Sequence, residues 1–408
     1  MTETTHQVRA RPSVQHAAGF WIVAASFLLV MAYSTVPTPL YPLYQQQDGF
    51  PAFVITAIFA AYAVGVIVSL YLAGHVSDWL GRRRVLVIAV LISALSAVMF
   101  ILWTEVPGLL VARFVNGASI GILTATATAH LSELRSIARP DENALVAASV
   151  SGAANLGGLS LGPLIGGLFA EFLPDPLMLP HIVFLVLLIV AAVLLLLVPE
   201  TVDRPDDPPR YRPQRLSVPA GARRPFLIAA FGAFSGFAVL GLFTSLAPTF
   251  LGTTFMARDH LLAGATSFSV FAAAAAGQLL LARLRMPLQL AIAIAACATG
   301  LVLVAAGAIL PEIVVFIAGG VIAGLGVGLL FKGAVGTTVA LADPARKGET
   351  LSLIFLVAYS GLAIPVLIVG AALTFAPAAS VLLVFVLIVL VATVTAGVLM
   401  RRRALATG

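Results

Sequence analysis

The chain has 408 residues, 61% of them hydrophobic and 10% charged, with a net charge of +6 and a mean hydropathy of +1.08. A soluble chain carries about 45–50% apolar and about 25% charged residues, so an ordinary soluble enzyme, a disordered chain and a nucleic-acid binder are excluded. The basic residues sit between long apolar runs, where they orient membrane segments.

A helix crossing a bilayer needs about 20 mostly apolar residues. Runs of that kind predict twelve spans, near residues 20–44, 52–73, 85–103, 108–131, 144–170, 182–198, 226–251, 261–282, 288–310, 313–341, 351–375 and 378–400. They form an N-terminal six-helix bundle over 20–198 and a C-terminal one over 225–400. A polar cytoplasmic segment, 1–19, precedes them, and a tail, 401–408, follows. The linker 199–224 holds Pro199, Pro205, Pro208, Pro209, Pro213 and Pro219 among charged residues, and cannot bury apolar area. With the N-terminus in the cytoplasm, all 23 Lys and Arg face inward except Arg113, Arg258 and Lys332. A missed span would scramble that alternation. The expectation is a multi-pass, monomeric protein of the cell inner membrane, with both termini cytoplasmic, lipid as its surroundings, and no cofactor or metal. The lone Cys297 has no disulfide partner.

Taken in order, the spans differ in polarity. Spans 1, 4, 5 and 11 carry Ser, Thr, Asn and Tyr throughout, as helices around a wet cavity do. Tyr33, Tyr41, Asn116, Asn155 and Tyr359 are therefore expected along a substrate or proton path. Span 1 ends in Val36-Pro37-Thr38-Pro39-Leu40-Tyr41-Pro42. Arg113 in span 4 lies six residues past Pro107, about 9 Å into the membrane at about 1.5 Å per residue. His130 and Glu133 stand near the inner end of span 4, where Glu133 is expected to meet the arginines after span 2. Span 6, at 182–198, has no polar side chain and is expected to face lipid. Phe231, Phe234 and Phe237 recur every three residues in span 7 and offer an apolar wall, with Phe234 the candidate contact. Lys332 in span 10 lies near the membrane midplane, where an unpaired lysine is expensive unless it lines a cavity.

The halves also look like copies. Pro107 and Pro311 precede spans 4 and 10 at an offset of 204, and Pro163 and Pro365 lie 202 apart in spans 5 and 11. Gly117 and Gly121 are spaced like Gly324 and Gly328, as in the repeated units of many secondary transporters.

The loop after span 2 reads Gly74-His75-Val76-Ser77-Asp78-Trp79-Leu80-Gly81-Arg82-Arg83-Arg84. It resembles the signature loop of the major facilitator superfamily. Gly158, Gly162, Pro163, Gly166 and Gly167 in span 5 resemble that superfamily's antiporter motif, common in twelve-span drug and metabolite exporters exchanging for protons. The paired prolines of span 1 and Arg113 with Gly117 and Gly121 resemble two further motifs of those exporters. The resemblance implies an all-α fold of two pseudo-symmetric six-helix bundles and a cytoplasmic gate loop of Gly74, Asp78, Gly81, Arg82, Arg83 and Glu133. It also implies that Asp78 docks near the start of span 11 when the carrier faces outward, and that Arg113 takes part in proton coupling.

The acidic residues depart from the exporter pattern, because none of the 17 falls inside a span. Either a boundary group (Asp48, Glu105, His130 or Lys332) carries the proton, or the substrate brings the negative charge. The leading expectation is proton-coupled efflux of drugs or amphipathic metabolites by alternating access. The alternative is an importer or exchanger of a small organic anion bound by Arg113 and Lys332. A membrane enzyme would need a nucleophile, a metal cluster or paired carboxylates at active-site depth, and a pump a phosphate-binding loop; the sequence has none.

Overall fold

The computed structural model describes residues 14–143, 145–202, 210–257, 259–343 and 347–407. The expectations for 1–13, with Arg9 and Arg11, for 203–209, and for Arg258 and Arg346 lie outside the described residues. Among the described residues twelve helices are long and apolar enough to cross a membrane: α1 (His16–Asp48), α2 (Ala52–Ala73), α3 (Arg82–Leu102), α4 (Val106–Ala138), α5 (Val146–Phe172), α6 (Leu179–Leu196), α7 (Arg223–Thr254), α8 (His260–Leu280), α9 (Met286–Ile309), α10 (Ile313–Leu341), α11 (Gly348–Ala372) and α12 (Ala378–Ala406). Among the described residues there is no strand.

Proline shapes the first helix of each half. Pro37, Pro39 and Pro42 break α1 into His16–Thr35, a 3₁₀ turn at Thr38–Leu40 and Tyr41–Asp48, because each removes an N–H donor. In α7, Pro248 follows a π-turn at Leu242–Leu246, a wider turn that absorbs the missing bond. Both bends lie toward the end of the bundle remote from the arginine clusters, called here the far end.

The repeat seen in the sequence is also a packing repeat. A Cβ on Gly117 would sit 1.9 Å from the Tyr62 carbonyl oxygen, and one on Gly328 would sit 2.1 Å from that of Ala274. Helix α4 thus touches α2 as α10 touches α8, backbone on backbone, as small residues permit in lipid.

Two crossings join the halves at the far end. Gly167 of α5 meets Leu261 and Gly264 of α8, and Gly264 faces the Pro163 carbonyl. Gly370 of α11 rests on Thr56 of α2. The Glu171 carboxylate accepts the His260 backbone N–H at 3.0 Å. The far end is therefore sealed. Toward the arginine-rich end, nothing lies within 4 Å of where a Cβ on Gly152 or Gly157 of α5 would be, so α5 borders open space there.

One expectation is corrected here. Helix α6 begins at Leu179, not 182, so its first turn contains His181, which is fully buried. Pro180 occupies an early helical position, where no N–H is needed. The helix faces lipid along Val186, Ile189, Val190 and Val193, but its far-end turn faces the core.

Candidate functional site: a cavity between the halves

A narrow cavity with about 130 Å³ of water-accessible space lies between the two halves. Its N-terminal wall is Thr35, Phe59, Tyr62, Arg113 and Asn155; its C-terminal wall is aromatic, with Phe237, Phe271, Phe331, Phe355 and Tyr359.

Arg113 dominates the first wall. It is fully buried rather than snorkelling to the surface. One terminal nitrogen donates to the Ser34 carbonyl at 2.6 Å and, more weakly, to Asn116 Oδ1 at 3.5 Å. Ser34 stands at the end of the first helical piece of α1, where carbonyls lose their intrahelical partners, so the proline break supplies the acceptor. The guanidinium carbon lies 4.5 Å from the Tyr62 ring centroid and 6.0 Å from that of Tyr41, a cation–π arrangement set by the close α2–α4 approach. Nε and the second terminal nitrogen are buried and have no hydrogen-bond partner among the described residues. No lining residue is a carboxylate. A buried guanidinium with unpartnered donors has the chemistry to hold an anion or a strong acceptor.

The opposite wall begins at Tyr359, whose ring meets Tyr62 edge-on at 6.5 Å between centroids. From there rings run through Phe237 at 5.8 Å and Phe331 at 4.8 Å to Phe355 at 5.9 Å. The site thus offers charge on one side and apolar faces on the other.

The sequence candidates divide. Arg113, Asn155 and Tyr359 line the cavity. Tyr33, Tyr41 and Asn116 lie behind it, buried in the N-terminal bundle. Phe234 does not reach the cavity: it lines an outer groove among α7, α11 and α12, whereas Phe237 enters the cavity. Three residues advance a helix by about 300°, so such a stripe winds around the axis instead of holding one face. Lys332 is half-buried and not among the lining residues; its Nζ donates to the Gln278 carbonyl at 3.1 Å, in the last turn of α8. A cation there satisfies a carbonyl that the helix end leaves open. Arg113 and Lys332 are therefore not brought together. Tyr62, Phe331 and Phe355 were missed by sequence reasoning, because in spans apolar on every side an aromatic carries no phase signal.

The gate-loop residues cluster at the arginine-rich end. Arg82 donates to Asp78 at 2.6 Å and to Glu133 at 3.0 Å. The Thr201 hydroxyl donates to Glu133 at 2.5 Å and lies 3.4 Å from His130 Nδ1. Arg83 reaches the Val198 carbonyl at 3.2 Å. The Asp78 side chain is 62% exposed and bonded within its own half. The start of α11 is engaged instead by the linker, where Ser217 bonds Glu349 and Thr350 bonds the Ser217 carbonyl at 3.0 Å. Tyr211 and Gln214 of the same strap hold the end of α2, through the Leu72 carbonyl and the Tyr71 carbonyl. Beyond α4, Arg135 donates to Glu142, and that bond holds the Glu142 carboxyl below its ordinary range. Gly74 closes α2, and Gly81 turns the loop into α3 with φ 102° and ψ 139°, a region open only to glycine. Gly81→Ala should lower stability by about 1–3 kcal/mol, read as an earlier melting transition in detergent; an unchanged transition contradicts this.

In span 5, Gly158, Gly162 and Gly166 face α1 backbone at Leu28, Ala32 and Val36, whereas Gly167 and the Pro163 carbonyl face α8. The motif is thus a packing surface shared between its own half and the far-end seal.

A family model described as Major Facilitator Superfamily matches residues 22–364, most of the chain. The chain belongs to that superfamily. Among curated relatives, an arabinose-proton symporter of Bacillus subtilis (strain 168) is 33% identical over 94 residues, which is 23% of this chain and 19% of that protein. The puromycin resistance protein pur8 of Streptomyces alboniger is 30% identical over 155 residues, 38% of this chain and 30% of that protein. The matches thus span less than a third of either relative's length. Among solved structures, a D-xylose-proton symporter matches with a TM-score of 0.71 at 14% identity, covering 95% of this chain and 97% of that one. The nucleoside transporter NupG, as a D323A mutant, gives 0.67 at 15%, covering 94% and 98%. The human organic anion transporter MFSD10 gives 0.64 at 17%, covering 93% and 99%. At such identities the likeness is one of fold. This superfamily member is a multi-pass membrane protein.

Proposed function

We propose that this transporter carries amphipathic organic compounds with an acidic head group, by alternating access coupled to protons. The observation that supports this is Arg113: buried, with two donor nitrogens unpartnered, in a cavity free of carboxylates and faced by aromatic rings. A carboxylate or sulfonate would take the free donors bidentately, and its apolar body would lie against Phe237, Phe331 and Phe355. With the arginine-rich end cytoplasmic, as the positive-inside rule directs, the sealed end is external and the arrangement is inward-facing. The two bundles over 20–198 and 225–400 then rock about the cavity, joined by the linker.

A second reading is proton-coupled export of drugs, favoured by the glycine surface of α5 and by the partial similarity to a puromycin resistance protein. The two differ in the sign of coupling. Purified protein in liposomes with an internal pH dye, given anionic, neutral and cationic amphipaths in turn, separates them. Proton flux in the same direction as an anionic cargo supports the first reading. Opposed flux, driven by cationic amphipaths, supports the second and overturns the first.

A further inference from the structure

The face of α6 against α1 and α3 holds a buried titratable group that the cavity does not use. His181 is fully buried, with Nδ1 3.0 Å from the Tyr33 hydroxyl and Nε2 3.5 Å from the Tyr44 hydroxyl. Its ring stacks on Phe100 at 4.5 Å between centroids and an interplanar angle of 4°. A phenol hydroxyl both donates and accepts, so this pair of partners satisfies the imidazole with one ring proton or with two. Because the Tyr44 hydroxyl gives its proton to the Leu177 carbonyl, Nε2–H donates to Tyr44, and Nδ1, facing Tyr33, is the nitrogen free to gain or lose a proton.

The cluster has two ends. Outward, the Tyr44 hydroxyl donates to the Leu177 carbonyl at 3.3 Å, in the loop at the far end. Inward, Tyr33 and His181 both lie within electrostatic range of Arg113, which lines the cavity. Helix α1 brings Tyr33, Tyr41 and Tyr44 to this region, with Asp48 beyond Tyr44, and α4 brings Arg113. Helix α3 presents Phe100 and has no titratable side chain from 85 to 102. Helix α5 has only Glu171, at its far end and bonded to His260.

We propose that His181 is the proton-carrying site of the transport cycle, linked by charge to the anion held at Arg113. This rests on the proton-coupled reading above and names the group that the carboxylate-free spans leave open. An anion on Arg113 offsets the guanidinium charge beside His181, so cargo and proton favour one another's binding. The Tyr33 and Tyr44 hydroxyls hold the imidazole at both ring nitrogens in either protonation state.

The test uses liposomes loaded with wild-type protein or His181→Gln, and 1-anilinonaphthalene-8-sulfonate as the anionic probe. Two rates are compared, accumulation driven by a pH gradient and exchange at equal pH. In His181→Gln, gradient-driven accumulation should fall at least tenfold more than exchange does. Equal falls, or accumulation at the wild-type level, overturn the assignment and leave proton coupling standing. Wild-type protein that ignores the gradient sinks the coupling reading itself and this inference with it. Should His181→Gln fail to fold, nitrogen-15 histidine spectra of the wild type in nanodiscs decide. The His181 ring should gain a proton when 1-anilinonaphthalene-8-sulfonate is added at a fixed acidic pH, as the linkage of cargo and proton requires; a ring in the same state with and without the probe overturns the proposal.

Discussion

Arg113→Gln should reduce transport of an anionic amphipath by about 30- to 150-fold in kcat/KM. That corresponds to about 2–3 kcal/mol, the scale of one or two lost charge-assisted hydrogen bonds. Glutamine ends where the arginine Nε stands, so it removes the charge together with the bond to the Ser34 carbonyl. Arg113→Lys keeps the charge but loses the planar fork over Tyr62, and should still fall about tenfold. Proteoliposome uptake across a range of probe concentrations measures both. A neutral amphipath should be nearly unaffected by either change. Equal loss for anionic and neutral probes would show that Arg113 supports structure and not recognition.

The second large effect is conformational. Gly264→Leu would place a Cβ 2.3 Å from the Pro163 carbonyl oxygen and 3.2 Å from the Gly167 Cα. Backbone atoms on both sides cannot yield to this, so the far-end seal cannot close and alternating access stops. Transport should drop below about a tenth of wild type, because a carrier locked in one orientation completes no cycle. Spin labels at Phe172 and Met256, both exposed near that end, should report a distance longer than in wild type. Wild-type transport with an unchanged label distance would contradict the sealing role of this crossing.

How much of this was legible beforehand follows from what each signal measures. Run length and the placement of arginines count spans directly, so the twelve helices and the duplication could be read from apolar stretches, Pro107 and Pro311, and the paired glycines. Arg113 stood out because a cation within a span is expensive wherever it points. Lys332 stood out for the same reason, yet its depth along the helix says nothing about its direction around the axis, and it turns to the Gln278 carbonyl. Phe234 failed for a related reason: a three-residue repeat drifts around a helix. The aromatic wall of Phe331 and Phe355 left no mark, since helices embedded in lipid are apolar on every face and periodicity vanishes. His181 escaped because it sits beside Pro180 at the edge of an apolar run, where a span boundary shifted by three residues decides whether it counts as loop or core. The expected docking of Asp78 on α11 is not seen: Asp78 bonds Arg82 in its own half, and the start of α11 is held by Ser217.

The central claim is that the cavity beside Arg113 is where cargo binds. A cysteine at Gly152, which lines that cavity and borders open space, tests it in a Cys297→Ala background that removes the buried native thiol. The measurement is the rate of alkylation by N-ethylmaleimide with and without 1-anilinonaphthalene-8-sulfonate. Binding at Arg113 predicts saturable protection by the probe, and loss of that protection when Arg113→Gln is added. Alkylation that proceeds at one rate with and without the probe, or protection that survives Arg113→Gln, would contradict it.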